Sequence, residues 1–424
     1  MPQPYLNRER ASNLLRKAGL DALVVAEPEG FRYATGVSPG VPALFRRAGA
    51  AFAIIPADRQ KPTGVVIGDL YEKAFSDDDA FLARSHPLWI EIAAVSADTA
   101  HEPIEQRLRS AWRNDGRPEG LQRPNPFDIS LSLKALHDVL QDLALEDARL
   151  GFDLDFISAN DAAKIAAALP QAKIVDGSPV LDRLRMVKTE AEIAKLRLGL
   201  ELSEAGLRSL IAMTAAGEDA EDLRRHFRAG VATEAAKRGI DPAITSWEYI
   251  SIGTDPWQAG GRVAPGSIIK ADVGCVIDGY SSDCSRNFVF AAATDEQQRL
   301  HRHVAAAFAA GLSQVRPGKR LSDAYHAAVG VLHQAGLAGY SRGHIGHGVG
   351  HSVFSEQWPF ISADSDIPFE ENMVLAYEIP LYINGFGGFN LEDQIIVTAD
   401  GFASMNRLPH DLGIITDRRT STDT

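Results

Sequence analysis

Five side chains with the chemistry of metal ligands fall in apolar or glycine-rich stretches of this sequence: Asp272, Asp283, His347, Glu378 and Glu392. Asp272 and Asp283 share a β-hairpin pattern. Residues 269–277 are rich in β-branched and apolar types, Asp278-Gly279 is a turn dipeptide, and residues 280–290 resume an extended pattern. Eleven residues separate the two acids, and a chain that folds back at Asp278-Gly279 brings the strand ends together. Each acid is flanked by apolar or small residues and so faces inward. A buried carboxylate is costly unless a cation or metal pairs with it. Two surface acids on an exposed hairpin are the alternative that this stretch alone leaves open.

Three later segments supply the rest. Residues 343–351 hold His344, His347 and His351 among four glycines, which argues against a helix and against reading His347 and His351 as a helical pair of zinc ligands. Glycine at this density lets backbone approach a bound species closely. Residues 373–378 form an apolar strand ending in Glu378, and residues 390–397 form another that begins with Glu392 and Asp393. Four carboxylates and one imidazole suit a pair of divalent cations such as Mn²⁺, Co²⁺ or Zn²⁺. Two such ions bridged at about 3.5–4 Å activate a water and stabilise the oxyanion formed on its attack.

The elements that must position these groups belong to a second, larger domain. Thr189 with Glu192, and Thr294 with Gln297, have the spacing of capping boxes. Helices are expected over residues 189–210, 220–238, 294–312 and 321–334. Before them, an amphipathic helix over residues 8–19, buried strands at 21–26, 51–55 and 64–67, and helices at 131–143 and 161–169 describe a smaller α/β domain. Residues 113–126, rich in Pro, Gly and charge, read as a loop. The expected division is residues 1–180, residues 185–415 and a frayed tail at 416–424. His137, His226 and His301 lie on helical stretches and are expected on solvated faces. Cys275 and Cys284 read as small buried packing residues.

The chain of 424 residues, 45 % apolar and 23 % charged, has the composition of a soluble globular protein. Its net charge of −13 argues against nucleic acid or an anionic membrane as partner. The polar N-terminus lacks the apolar core of a signal peptide, and no apolar run is long enough to span a bilayer. Two cysteines in so long a chain fit a reducing, cytoplasmic compartment.

With these motifs assembled, the chain resembles the pita-bread metallopeptidases, a family that includes methionine aminopeptidase, aminopeptidase P, prolidase and the creatinases. The resemblance rests on Asp272-Val273-Gly274, on Gly279-Tyr280 followed by Asp283, Arg286 and Phe288, and on Gly346-His347-Gly348-Val349-Gly350. Met373-Val374 followed by Glu378, and Glu392-Asp393, complete it, with Met186-Val187-Lys188 and Arg316-Pro317-Gly318 as further signposts. It is strong over residues 185–413. It is weaker in the N-terminal part, through residues 20–24 and 31–36, where it favours the aminopeptidase P, prolidase and creatinase branch.

The resemblance implies an α+β pita-bread catalytic fold preceded by a creatinase-type α/β domain, and hydrolysis of an amide C–N bond by an Xaa-Pro aminopeptidase or dipeptidase-like enzyme. Asp283 and Glu392 would bridge two metals, Asp272 would complete one shell, and His347 and Glu378 the other, with Glu378 also the acid/base. A homodimer is implied. Alternatives on the same fold are an enzyme for a small zwitterion, either a creatinase- or ectoine-hydrolase-like amidinohydrolase or amidase, or a dimethylsulfoniopropionate-type lyase. A non-enzymatic binding module is a third. The chain departs from the prolidase pattern at helper positions: Phe354 and Asn390 stand where a His and an Arg are usual, and residues 251–261 offer no His. His351, with His344 second, is the expected stand-in at the substrate. Trp247, Trp257 and Trp358 fall in segments that line the pocket in the family, and Trp257, Trp358 and Phe354 are the expected substrate-contacting residues, the tryptophans able to hold a cationic group by cation–π contact.

Overall fold

The computed structural model describes residues 4–75, 78–87, 95–114, 129–241, 244–257, 260–352 and 354–416. Most of the expected loop at 113–126, residues 258 and 259 of the 251–261 segment, and the tail from 417 onward lie outside these described residues. The chain divides into two compact units, Met1–Leu184 and Arg185–Thr424.

The first unit alternates helices and strands: α1 (Arg8–Lys17), β1 (Ala22–Val25), α2 (Pro28–Thr35), β2 (Phe52–Pro56), β3 (Thr63–Gly68), β4 (Phe81–His86), α3 (Ile104–Asn114), α4 (Ile129–Asp142), β5 (Arg149–Phe152), α5 (Ala159–Ala168) and β6 (Lys173–Asp176). Among the described residues these strands form a mixed sheet in the order β4-β3-β2-β1-β5-β6. Every residue of β1, β2 and β3 is buried, as expected of strands covered on both faces. One buried acid organises the start of α2: the Asp153 carboxylate accepts the N–H groups of Ala26 and Glu27 at 2.7–3.0 Å. Helix α6 (Ser178–Met186) carries the chain across the division.

The second unit opens with α7 (Glu190–Met213) and α8 (Ala220–Lys237), continues through β7 (Thr245–Ile252), β8 (Ile268–Ile277), β9 (Tyr280–Ser281) and β10 (Cys284–Phe290), and then α9 (Asp295–Leu312) and α10 (Leu321–Gln334). It ends with β11 (Gly346–Gly348), β12 (Gln357–Phe360), β13 (Val374–Ile383), β14 (Gly387–Val397), β15 (Phe402–Ser404) and β16 (Gly413–Ile415). Both expected capping boxes form, at Thr189/Glu192 and Thr294/Gln297, and Asp219/Asp222 makes a third. The strands build one sheet in the order β12-β11-β13-β14-β10-β8-β7, with β15, β16 and β9 attached to β14, β10 and β8. Helices α9 and α10 close one face over a core that includes Phe308, Tyr325, Leu332, Tyr377, Ile379 and Leu391.

Two local expectations need correction. His301 is not on a solvated face. It is 3 % exposed, because the α9 surface that carries it packs on the sheet, with its ring edge-on to Phe389 at 5.5 Å. Burial pushes its pKa down to about 4. The hairpin return is also not continuous: it breaks at Ser282 and Asp283, between β9 and β10. There the Ser282 hydroxyl accepts the Cys275 N–H at 3.0 Å, and the Ser282 N–H donates to the Cys275 carbonyl at 3.0 Å. A side chain thus takes over part of the ladder and frees the backbone around Asp283.

Candidate metal centre

Strand register alone puts the five acid and imidazole side chains on one face. Asp272 of β8 lies opposite Ser285 of β10, Ser285 opposite Glu392 of β14, and Glu392 opposite Glu378 of β13. Directly opposed residues share a face, so this row carries Asp272, Glu392 and Glu378 to the same side. The β8 pairing keeps one register on both sides of the hairpin break. That register sets Asp283 level with Gly274, two residues from Asp272 and on the same face. His347 of β11 lies opposite Ala376, two residues before Glu378, and so joins them.

The side chains converge as the register requires. One ligand atom from each of Asp283, His347 and Glu392 lies within 4.8 Å of the others, and His347 Nε2 is 3.7 Å from Asp283 Oδ2. The His347 Nδ1–H is directed at the Gly348 carbonyl, 3.0 Å away, which leaves Nε2 with its lone pair facing the acids. Such a fixed tautomer is what a metal-ligating histidine needs. Asn390 Nδ2 ties the cluster together, donating to Glu378 Oε2 at 3.1 Å and to Glu392 Oε2 at 3.3 Å.

Electrostatics point the same way. Burial, with the charges of Asp272 and Glu378 added, holds the Asp283 carboxyl well above its usual range. Burial and the charges of Asp283, Asp272 and Glu378 do the same to Glu392. Burial pushes Asp272 up to about 6, opposed by Lys270 and reinforced by Glu378. Burial lowers the pKa of His347 and keeps its imidazole neutral. Asp283 Oδ1 is buried with no hydrogen-bond partner among the described residues. Four mutually repelling carboxylates, a neutral imidazole and an orphaned oxygen fit divalent cations held in common.

The other expected site residues fall in different places. His344 joins the cluster: its Nδ1 is 3.8 Å from Glu378 Oε1 and its Nε2 is 3.5 Å from Glu356 Oε2. His351 packs instead under the hairpin turn, edge-on to Tyr280 at 5.4 Å. A Cβ placed on Gly279 would come within 2.3 Å of its Nε2. Trp257 is 65 % exposed and lies edge-on to Tyr382, with ring centroids 4.9 Å apart. Trp247 donates its indole N–H to Ser281 Oγ at 2.9 Å, behind the hairpin. Trp358 packs against the core, and Phe354 is exposed on the loop that follows the glycine-rich segment.

Four residues around the cluster went unnoticed in the sequence. Arg342 donates to Glu378 Oε1 at 3.2 Å, and the Lys270 ammonium is 3.8 Å from Asp272 Oδ2. Glu356 is held below its usual range by the hydrogen bond from His344. Tyr382 carries both cations against its ring, at 5.0 Å for Lys270 and 5.7 Å for Arg342. Lys270 was detectable through alternation, since residues two apart in a strand share a face. A cleft of about 440 Å³ is lined by Tyr340, Arg342, Leu381 and Tyr382, within the size range of small-molecule sites.

Comparison with known proteins gives two consecutive family matches. Residues 194–399 match the model of metallopeptidase family M24, and residues 122–187 match that of the creatinase/prolidase N-terminal domain. An Xaa-Pro dipeptidase of Lactobacillus delbrueckii subsp. lactis is 27 % identical over 427 residues, covering 97 % of this chain and 99 % of that protein. One from Lactobacillus helveticus is 27 % identical over 329 residues, covering 74 % and 83 %. Among solved structures, the Xaa-Pro dipeptidase from Bacillus anthracis superimposes with a TM-score of 0.73 at 19 % identity, covering 96 % of this chain and 98 % of the other. At that identity the superposition speaks for the fold.

Proposed function

From the premise that the chain belongs to the pita-bread metallopeptidases of family M24, with a creatinase/prolidase-type domain before the catalytic one, we propose that it is a metal-dependent hydrolase of small peptides of the Xaa-Pro dipeptidase kind. The observation that carries this reading is the row of four carboxylates and one imidazole set on one sheet face by strand register. The Xaa-Pro dipeptidase of Lactobacillus delbrueckii subsp. lactis, which resembles the chain over nearly its whole length, supports the substrate class.

In this proposal Asp272, Asp283, His347, Glu378 and Glu392 would hold two divalent ions in common, Asp283 and Glu392 being the acids proposed to serve both. A divalent ion held there, such as Mn²⁺, Co²⁺ or Zn²⁺, would supply Lewis acidity and a nucleophile at neutral pH. The residues of the chain do the rest. Glu378, held on both carboxylate oxygens by Arg342 and Asn390, takes the proton of the attacking water and returns it to the leaving nitrogen. His344, beside Glu378 and steadied by Glu356, donates a hydrogen bond to the developing oxyanion. It fills the helper role for which His351 was the first candidate. A homodimer remains part of the proposal on family resemblance, and sedimentation checks it.

The direct test is metal loading followed by peptide hydrolysis. Protein soaked in Mn²⁺, Co²⁺ or Zn²⁺ and desalted should hold about two ions per chain and cleave Xaa-Pro dipeptides. Asp283→Asn should lose at least one ion and the activity while keeping its circular dichroism. Wild-type metal content in that variant, or no retained ion in any loaded preparation, would refute the assignment.

A further inference from the structure

We propose that the first unit carries a binding site of its own for a small organic anion, a carboxylate with a compact apolar body, held by Arg8 and Arg59 at the start of β3 and β4. The site is separate from the metal-ligand cluster and does not depend on the peptidase reading.

Thr63 and Phe81 open β3 and β4 as register partners, and the Thr63 N–H donates to the Ala80 carbonyl at 2.9 Å. Arg8 opens α1 against the loop that joins β2 to β3, where one of its terminal nitrogens donates to the carbonyls of Asp58 at 3.2 Å and Lys61 at 3.1 Å. A cavity of about 290 Å³ lies here, with Leu6, Pro62 and Phe81 among its apolar walls and Arg8, Arg59, Thr63 and Asp79 among its polar ones. That volume is close to the lower end of the range for small-molecule sites.

The polar groups around this cavity lack partners. The second terminal nitrogen of Arg8 is buried with no hydrogen-bond partner among the described residues. Burial holds the Arg8 pKa below the usual guanidinium value, with the charge of Asp58 opposing and that of Arg59 adding to the effect. Arg59 is exposed and makes no ion pair among the described residues. Thr63 is 6 % exposed, and its hydroxyl has no hydrogen-bond partner among them either. The Lys61 ammonium is turned to the carbonyls of Leu143 and Ala144, and the Asp58 carboxylate accepts the Gln60 N–H at 3.0 Å. Two guanidinium groups close enough to repel, beside an idle hydroxyl, are relieved by an anion that accepts from them.

Charge and shape narrow the ligand. Arg8, Arg59 and Lys61 bring three positive charges, and Asp58 and Asp79 two negative ones, so one positive charge is in excess. A monoanion matches it. The fork of a guanidinium suits a carboxylate, and the apolar walls reward a hydrocarbon body, which inorganic phosphate lacks.

The experiment compares an acid with its amide. The full-length protein is titrated calorimetrically with isovalerate, with isovaleramide and with inorganic phosphate. Wild type should bind the acid at least about tenfold more tightly than the amide, the order of one hydrogen bond to a charged group. Arg59→Glu, a change at an exposed position, should erase that preference while circular dichroism and ion content stay as in wild type. Thr63→Val should weaken the acid and leave the amide unchanged. Isovalerate should raise the unfolding midpoint of wild type and not that of Arg59→Glu. The proposal is overturned by equal binding of acid and amide, or by no binding of the acid up to about 10 mM, weaker than ordinary specific affinities. An unchanged preference in Arg59→Glu, which would put the acid elsewhere on the chain, overturns it as well. Phosphate binding more tightly than isovalerate would overturn the assignment to a carboxylate.

Discussion

The acids at this site hold protons that a bound metal would have to displace. Burial and mutual repulsion hold Asp283 and Glu392 well above the ordinary carboxylate range and Asp272 up at about 6. In metal-free protein they therefore stay partly protonated well above the pH at which free acids ionise, so binding releases protons and weakens as pH falls. Calorimetry at pH 6 in two buffers of different ionisation enthalpy should show net proton release, and affinity should rise from pH 5 to pH 8. A flat affinity with no proton transfer would contradict the shared site. The two candidate imidazoles should also separate. His344→Ala should lower kcat/KM about a hundred- to a thousandfold, as for loss of an oxyanion donor. His351→Ala should mainly lower the unfolding midpoint, because that ring fills the space under Gly279 and Tyr280. Equal kinetic losses in the two variants would return His351 to the substrate. The metal-binding candidates were legible because each interrupts an apolar or glycine-rich run at a family spacing. Arg342 and Glu356 were not, because each is an ordinary charged residue whose meaning comes from a partner on another element, whereas Lys270 could be reached only through its alternation with Asp272 on β8.

At the scale of elements, β10 and β14 are locked by a buried ion pair. Arg286 donates to Asp393 Oδ1 at 2.8 Å and to the Glu392 carbonyl at 2.6 Å, with both side chains at most 2 % exposed. Burial alone would raise the Asp393 pKa, but the hydrogen bond from His410 and the charge of Arg286 bring it below the usual value. Removing one partner of such a pair strands the other. Arg286→Met should cost about 3–5 kcal/mol in urea unfolding, and it should also disturb Glu392, which shares the clamp. A loss below about 1 kcal/mol, the range of an exposed pair, would show that water reaches Asp393. Sequence reading located the long helices well because their caps and apolar period are local signals. It missed β4, with one buried residue in six, and β6, with none in four, because such strands carry no apolar run. It also ran one strand through Ser282 and Asp283, since a break made by a hydroxyl competing for Cys275 has no signature in residue type.

At the scale of the molecule, each unit brings its own dependence on pH. Burial raises Asp153 to about 7, against the hydrogen bonds from Ala26 and Glu27 that favour its charged form. Between its unfolded value near 3.9 and about 7, the folded chain holds a proton that the unfolded chain has released. The Asp153 contribution to stability is therefore full below pH 4 and is lost as pH rises through 7. Compared with Asp153→Asn, wild type should lose up to about 1.4 kcal/mol per pH unit across that window. Parallel urea midpoints for the two proteins from pH 5 to pH 8 would show that Asp153 is ionised throughout.

The same-face row of ligands also sets an order of events during synthesis. Asp272 leaves the ribosome 120 residues ahead of Glu392, an interval of roughly 6–24 s at about 5–20 residues per second. Through it the early hairpin carries Asp272 and Asp283, while the other proposed ligands, His347, Glu378 and Glu392, are still missing. The full constellation exists only once β13 and β14 have closed against β10 and β11, so on the proposed reading the two ions would enter after the sheet is complete. Metal supplied after translation should then load protein already made, without new synthesis.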